Sequence, residues 1–236
     1  MKPYQLIPIK DCSEPTVPKP GNQFALVNPP PYQALGAPYE DCSPYSLRTG
    51  VLSALTQAQQ HLVSQQPGWQ IQVFDAFRPV AVQQFMVDYT FQILLQEKGL
   101  QAKQLTSEQR EKVLEEVLGF WAIPSADPAT PPPHSTGAAL DVTLVDETGD
   151  AVDMGSPIDE VSPRSFPNHF AESVEPYHQQ VHARRRVLYG VMTAAGFRQH
   201  PHEWWHFSLG DQLWAWLVGQ ETGRNAPAAK YGGIFS

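Results

Sequence analysis

Cysteine is scarce in this 236-residue chain, which contains only Cys12 and Cys42. Each lies in an Asp-Cys-Ser triplet that is too short to count as an internal repeat. The two thiols can pair, but the sequence does not show whether they do, and we expect two reduced structural cysteines. Neither has a neighbour that indicates zinc binding or catalysis, so the chemistry of this chain must depend on other residue types.

Long apolar runs are also absent. No stretch approaches the roughly 20 apolar residues of a membrane span, so we expect no membrane partner. Residues 1–10 contain the short apolar patch Leu6–Ile9, whereas a secretory signal needs roughly 7–15 apolar residues and a cleavage site. These observations predict a cytoplasmic protein.

Positive charge is in deficit, with 16 Lys and Arg against 24 Asp and Glu and a formal net charge of -8. An acidic chain is a poor candidate for nucleic-acid binding, which needs a basic surface, so we expect no nucleic-acid partner. The only basic run, Arg184–Arg186, is typical of a solvated or ion-paired helix surface. A Gly-rich phosphate-binding loop is absent as well.

What the chain does have is a large apolar fraction, 42%, and a clear order of elements. Apolar spacing predicts helices over about 47–65, 79–99, 107–119, 175–195 and 213–217, and strands over 69–74, 138–145 and 197–209. Strands and helices do not alternate regularly, which indicates an α+β fold with a small, mostly antiparallel sheet packed with helices. We expect one domain over 1–236, with an extended N-terminal arm (1–45) and a C-terminal helix and tail (210–236).

Two segments carry the strongest chemical signal. His134 opens a run of small residues that ends at Asp141, and Glu203 precedes His206 by three positions. A catalytic zinc needs three protein ligands, an open position for water and a nearby base. Two imidazoles and a carboxylate, with a second carboxylate beside the last imidazole, match that requirement. The pattern favours a metal-assisted hydrolase.

Other interpretations of these residues remain open at this point. Asp141 can form a salt bridge with an arginine such as Arg78, and His206 can be a core histidine bonded to backbone. Glu203 can be a fourth metal ligand or a surface ion pair rather than the base. Arg78, at the end of a predicted strand, can stabilise an oxyanion or can simply pair with Asp75 or Asp141.

Four motifs in order give the chain a family resemblance. They are Asp75–Pro79, His134–Asp141, Asp153–Asp159 and Glu203–His206. In this order they resemble the zinc D-alanyl-D-alanine dipeptidases, a group that includes the vancomycin-resistance dipeptidase and is related to the hedgehog signalling domain. The resemblance covers most of residues 40–210 and implies a fold of the hedgehog and DD-peptidase type. Relatives often carry Ser at the position of Pro132, so a role for that hydroxyl is not expected here.

The resemblance also implies roles for individual residues. It implies one Zn²⁺ per chain, held by His134, Asp141 and His206. Glu203 matches the catalytic base, Arg78 matches the residue that stabilises the transition state, and Asp159 matches the residue that binds the substrate's free amino group.

The expected function is therefore zinc-dependent hydrolysis of D-alanyl-D-alanine, or a similar small D-dipeptide, to free amino acids. One alternative is a zinc DD-carboxypeptidase or endopeptidase that acts on peptidoglycan stem peptides through a more open cleft. A second alternative is a metal-stabilised binding module without turnover, against which the presence of both Glu203 and Arg78 argues. The sequence leaves the physiological role and the oligomeric state open.

Overall fold

The computed structural model describes residues 2–18 and 20–235. The α-helices are α1 (Pro31–Ala34), α2 (Thr49–Gln65), α3 (Val80–Glu97), α4 (Ser107–Phe120), α5 (Pro176–Ala194) and α6 (Gln212–Thr222). The strands are β1 (Thr16–Val17), β2 (Ala25–Leu26), β3 (Leu47–Arg48), β4 (Gln70–Asp75), β5 (Ala139–Val145), β6 (Arg198–Gln199) and β7 (His206–Ser208). Short 3-10 helices occupy Pro3–Leu6, Ala102–Gln104, Pro133–Thr136 and Pro163–Ser165.

The longer helices follow the apolar spacing of the sequence, and their ends follow local signals. Pro79 precedes the first residue of α3, a position that tolerates the missing N–H. Thr106 caps α4: its hydroxyl accepts a hydrogen bond from the Gln109 amide at 3.2 Å, and the Gln109 side chain accepts one from the Thr106 amide at 2.9 Å. The predicted strand over 197–209 is divided into β6 and β7, with the turn around Pro201 between them.

The main sheet has five strands in the order β2-β4-β5-β7-β6. Only β2 runs parallel to its neighbour, and the other pairs are antiparallel, which confirms the predicted α+β architecture. The N-terminal arm does more than wrap the core, because it contributes β2 to the edge of this sheet. It also contributes β1, which pairs with β3 in a separate two-stranded sheet.

The sheet separates two apolar clusters. Alternate side chains of β5, Leu140, Val142 and Leu144, are buried in one cluster with residues of α2 and α5. The other cluster is formed by α1, α3 and α4, and Phe74 of β4 packs against it. Because strand side chains alternate between faces, Asp141 points away from the α2 and α5 side.

Neither a disulfide nor a membrane-spanning helix is found within the described residues. Cys12 and Cys42 are both free thiols, the first exposed and the second half-buried. None of the helices between residues 2 and 235 combines the length and the apolar character that a membrane crossing requires.

Candidate active site

A row of polar side chains crosses the sheet where it faces α3. Asp75 of β4 lies opposite Asp141 of β5, and Asp141 lies opposite His206 of β7. Antiparallel pairing places such residues within about 5.5 Å between Cα atoms. Phe207 is buried in the cluster on the other face, so alternation directs His206 to the same side as Asp141. Strand register therefore brings together groups that are far apart in sequence.

His134 reaches this row from the 3-10 helix that precedes β5. The turn is held to the segment that follows β4 by the Arg78 amide, which donates to the His134 carbonyl at 3.3 Å, and by the Ser135 hydroxyl, which donates to the Arg78 carbonyl at 2.7 Å. Gly137 then reverses the chain in the left-handed region, with φ of 69°. A Cβ at this position would lie 3.2 Å from the Ile234 side chain, so both conformation and space favour glycine.

Potential ligand atoms from three side chains converge at the end of the row. His206 Nδ1 lies 3.1 Å from His134 Nε2 and 3.1 Å from Asp141 Oδ1, and His134 Nε2 lies 3.4 Å from Asp141 Oδ2. Zinc bonds of roughly 2.0–2.1 Å in a tetrahedron would place neighbouring ligand atoms about 3.3 Å apart. The spacing of these three side chains therefore suits a small divalent cation.

The hydrogen bonds behind the rings decide which nitrogen of each imidazole is free. His134 Nδ1 donates to the Ala76 carbonyl at 2.6 Å, so in the neutral ring Nε2 carries the lone pair. The Ser208 hydroxyl donates to Asp211 at 2.8 Å and so accepts from His206 Nε2 at 3.3 Å. Burial lowers the pKa of His206 to about 4, so its ring is neutral at neutral pH and Nδ1 also carries a lone pair.

The convergence of these groups calls for a cation. When both rings are neutral, each presents a lone pair toward the other ring and toward the Asp141 carboxylate. Although burial alone would raise it, the pKa of Asp141 is held well below its ordinary value by His134 and Arg78. Within the described residues, these three buried side chains form a cluster that can hold a metal ion, and their donor atoms suit zinc.

Arg78 is buried, and its guanidinium forms several hydrogen bonds, one of them to the second oxygen of Asp141. Its guanidinium donates to Asp75 Oδ2 at 2.6 Å, to Asp141 Oδ2, and to the Tyr32 hydroxyl at 3.2 Å. The structural pairing that the sequence left open is thus present, with Asp75 and with Asp141 together. Arg78 nevertheless also lines the cavity described below, so the ion pairs orient the guanidinium without removing it from the site.

Glu203 is buried beside the three ligand atoms. Its carboxylate lies 3.7 Å from His206 Nδ1 and 3.6 Å from His200 Nδ1. Burial raises the pKa of Glu203 well above its ordinary value, and the negative charges of Asp141 and Asp159 act in the same direction. A carboxylate with a raised pKa, close to a metal site, suits a group that accepts a proton near neutral pH.

Asp159 approaches from the long loop between β5 and α5. Its backbone adopts a left-handed conformation, with φ of 66°, which Asp tolerates better than most residues. The Tyr32 hydroxyl donates to Asp159 Oδ2 at 2.8 Å and links it to Arg78. Burial, together with the charge of Asp141, raises the pKa of Asp159 to about 7.

All six residues singled out from the sequence line one space, which we call the central cavity. Its empty space, counting the part that opens to solvent, is about 570 Å³. His200 lines it too, whereas His202 is exposed at the surface.

Sequence reasoning missed other residues around the cavity. Lys2 and Tyr4, from the N-terminal segment, and Trp121, from the end of α4, line it as well. No motif in the sequence marks these positions. Asp211 could have been found from the sequence, because Asp is a typical N-cap residue. It caps α6, where its side chain accepts from the Trp214 amide at 2.7 Å, and it also accepts from the Ser208 hydroxyl.

Comparison with known proteins adds a family assignment for much of the chain. A family model described as D-Ala-D-Ala dipeptidase matches residues 26–222. A D-alanyl-D-alanine dipeptidase of Synechocystis sp. is 50% identical over 99% of this chain and 97% of its own length. A D-alanyl-D-alanine dipeptidase of Escherichia coli is 45% identical over a shorter part, 32% of this chain and 37% of its own.

Among solved structures, a vancomycin-resistance D,D-pentapeptidase in complex with Zn(II) is 14% identical to this chain. The matched region covers 94% of this chain and 96% of the solved chain, with a TM-score of 0.48.

Proposed function

The chain belongs to the D-Ala-D-Ala dipeptidase family, and from that premise we propose that it is a zinc peptidase that hydrolyses D-alanyl-D-alanine, or a similar small D-dipeptide, to free amino acids. The observation that carries the proposal is the convergence of His134, Asp141 and His206 beside the buried carboxylate of Glu203. This arrangement supplies three metal ligands and one base.

One zinc ion per chain is the cofactor we propose, held by His134 Nε2, His206 Nδ1 and Asp141. When bound, zinc supplies Lewis acidity at the scissile carbonyl and makes a nearby water more acidic. The protein's own part is to orient both rings, through the Ala76 carbonyl and the Ser208 hydroxyl.

Glu203 is the group we assign to proton transfer. Burial raises its pKa well above the ordinary glutamate value and so makes it a stronger base, which can accept a proton from the attacking water and then pass it to the leaving amine. Because Glu203 is buried, few solvent molecules compete for that proton.

Arg78 is the group we assign to the negative charge that develops on the scissile carbonyl oxygen. Asp75 and Asp141 fix its guanidinium in place, so it needs little reorganisation during the reaction. Both acids also compete for its charge, which restricts the hydrogen bonds that Arg78 can offer a substrate.

Asp159 is the group we assign to the substrate's free ammonium. A cation beside a half-buried carboxylate stabilises its ionised form and forms a charge-assisted hydrogen bond. A peptide whose amino group is blocked loses this contact and leaves Asp159 without a cationic partner, which would restrict the reaction to dipeptides.

The test is a turnover assay on D-Ala-D-Ala, its N-acetylated form and L-Ala-L-Ala, with metal analysis of the same sample. We expect one zinc per chain, release of free D-alanine from the first substrate, and at least ~100-fold lower kcat/KM for the blocked peptide. Rapid cleavage of the blocked peptide would support the carboxypeptidase or endopeptidase alternative instead. Stoichiometric zinc with no turnover of any peptide would support a binding module.

A further inference from the structure

The N-terminal segment forms part of the central cavity. The 3-10 helix over Pro3–Leu6 packs against α6, and the Gln212 side chain donates to the Gln5 carbonyl at 3.3 Å and to the Ile7 carbonyl at 2.7 Å. The Lys2 amide donates to the Gln5 side chain at 2.8 Å, which fixes the start of this turn. The backbone of Lys2 is therefore held in place by a specific hydrogen bond.

The ammonium of Lys2 faces the cavity with little to bind. Its Nζ donates to the Trp121 carbonyl at 3.4 Å, a long hydrogen bond, and it forms no ion pair with any carboxylate of the described residues. Burial lowers the pKa of Lys2, while the charge of Glu203 raises it, which places the two groups in the same part of the cavity. A partly buried cation without an anionic partner is costly unless a ligand supplies one.

The charged side chains that line the cavity leave Lys2 without an anionic partner. Three carboxylates line it: Asp141, Asp159 and Glu203. Of the two Lys or Arg side chains that line it, Arg78 is already bonded to Asp75 and Asp141. Lys2 is the remaining Lys or Arg side chain among the described lining residues.

A free dipeptide carries both an ammonium and a carboxylate at neutral pH. The proposed function assigns the ammonium to Asp159 and leaves the carboxylate without a partner. We propose that Lys2 binds the terminal carboxylate of the substrate, an inference that rests on the proposed function. Together, Asp159 and Lys2 would then select a substrate by its two charged ends.

Removing the charge either from Lys2 or from the terminal carboxylate of the substrate tests this assignment. We compare Lys2→Met and Lys2→Arg with wild type on D-Ala-D-Ala and on its C-terminal amide, D-Ala-D-Ala-NH2, which has the same scissile bond and no carboxylate. The matched control is Lys10→Met, which alters an exposed lysine of the same N-terminal segment.

For Lys2→Met we expect KM for D-Ala-D-Ala to rise ~10- to 100-fold, because a hydrogen bond between charged groups is lost, with kcat changed less than ~3-fold. Wild type should discriminate against the amide, and Lys2→Met should handle the amide within ~3-fold of wild type. Lys2→Arg should recover much of the lost affinity, and Lys10→Met should match wild type on both substrates. Retained activity on the amide also shows that the variant is folded.

Other outcomes overturn the assignment. Equal losses on both substrates would mean that Lys2 acts through Glu203 or through the packing of the segment. Unchanged KM for D-Ala-D-Ala in Lys2→Met would remove Lys2 from substrate binding while leaving the proposed function intact. A wild-type protein that cleaves neither substrate would overturn the proposed function and this assignment with it.

Discussion

Asp141 shows how one buried carboxylate serves two purposes. One oxygen faces His206 Nδ1, and the other accepts a hydrogen bond from Arg78. Removing a partner from such a network leaves a buried charge without compensation, which costs more than the net contribution of the pair. The sequence alternatives of metal ligand and ion-pair partner are therefore compatible in this structure: Oδ2 accepts from Arg78 and lies 3.4 Å from His134 Nε2, and Oδ1 faces His206 Nδ1.

Glu203→Gln is the prediction that isolates the base. The amide has similar shape but cannot accept a proton at neutral pH, so kcat should fall by ~10²- to 10⁴-fold. Zinc content should stay at one per chain, because the three proposed ligands are untouched. Steady-state kinetics and metal analysis on the same preparation provide the measurement.

The control is Glu172→Gln, which changes an exposed glutamate that does not line the cavity and should leave kcat unchanged. Loss of zinc from Glu203→Gln would identify Glu203 as a fourth ligand, and normal kcat would remove it from the mechanism.

At the scale of elements, β7 and α6 act together behind the site. β7 presents His206 and Ser208 on one face, and Asp211, three residues further, caps α6 and accepts from the Ser208 hydroxyl. Burial raises the pKa of Asp211 to about 6, so it is ionised at neutral pH and able to accept. The start of a helix thereby orients a ring on the neighbouring strand.

Ser208→Ala should weaken zinc binding by ~10- to 100-fold, because His206 Nε2 loses the acceptor that orients the ring. The measurement is a competition titration against a chelator of known zinc affinity. Ser165→Ala is the matched control: it removes the hydroxyl of another fully buried serine, which donates to the Glu160 carbonyl and makes no hydrogen bond with a proposed ligand ring. It should retain wild-type zinc affinity, and equal affinities for wild type and Ser208→Ala would contradict the proposed role.

At the scale of the whole molecule, Glu14 joins both ends of the chain to the core. Its carboxylate accepts from Lys230 Nζ at 2.6 Å, from the Tyr231 hydroxyl at 2.8 Å and from the Gly50 amide at 2.9 Å. A Cβ at Gly50 would lie 2.7 Å from the Glu14 carboxylate, so a larger residue there would displace the carboxylate from this position.

These bonds, first of all the one from Lys230, lower the pKa of Glu14 to about 2. Because the pKa is lower in the folded than in the unfolded state, the ionised form stabilises the fold above the ordinary glutamate pKa of about 4.3. That contribution is lost as the pH falls through about 4 toward about 2.

Glu14→Gln should therefore lower the free energy of unfolding by about 1–2 kcal/mol at neutral pH, and the difference from wild type should narrow as the pH falls below about 4. Urea denaturation at several pH values measures both effects. Glu111→Gln, on the exposed side of α4, should show neither. A difference between wild type and Glu14→Gln that stays constant with pH would contradict this account.

Much of the fold could be predicted because its signals are local. The spacing of apolar side chains along α2, α3 and α5 and the alternation along β4 and β5 follow from burial and backbone geometry within a few residues. The positions of His134, Asp141, Glu203 and His206 followed from their residue types and their order. The metal set and the roles of Glu203, Arg78 and Asp159 stay predictions until they are tested.

The sequence by itself determined which groups are available: two imidazoles, several carboxylates, a strand-end arginine and the elements that carry them. Only the tertiary structure decided how they are shared, for example which nitrogen of His206 is free and which oxygen of Asp141 meets Arg78. It also brought Lys2 into the cavity, which no local pattern marks. Strand register and helix packing set these contacts between distant segments, and both depend on the burial of the whole chain rather than on the few residues around each group.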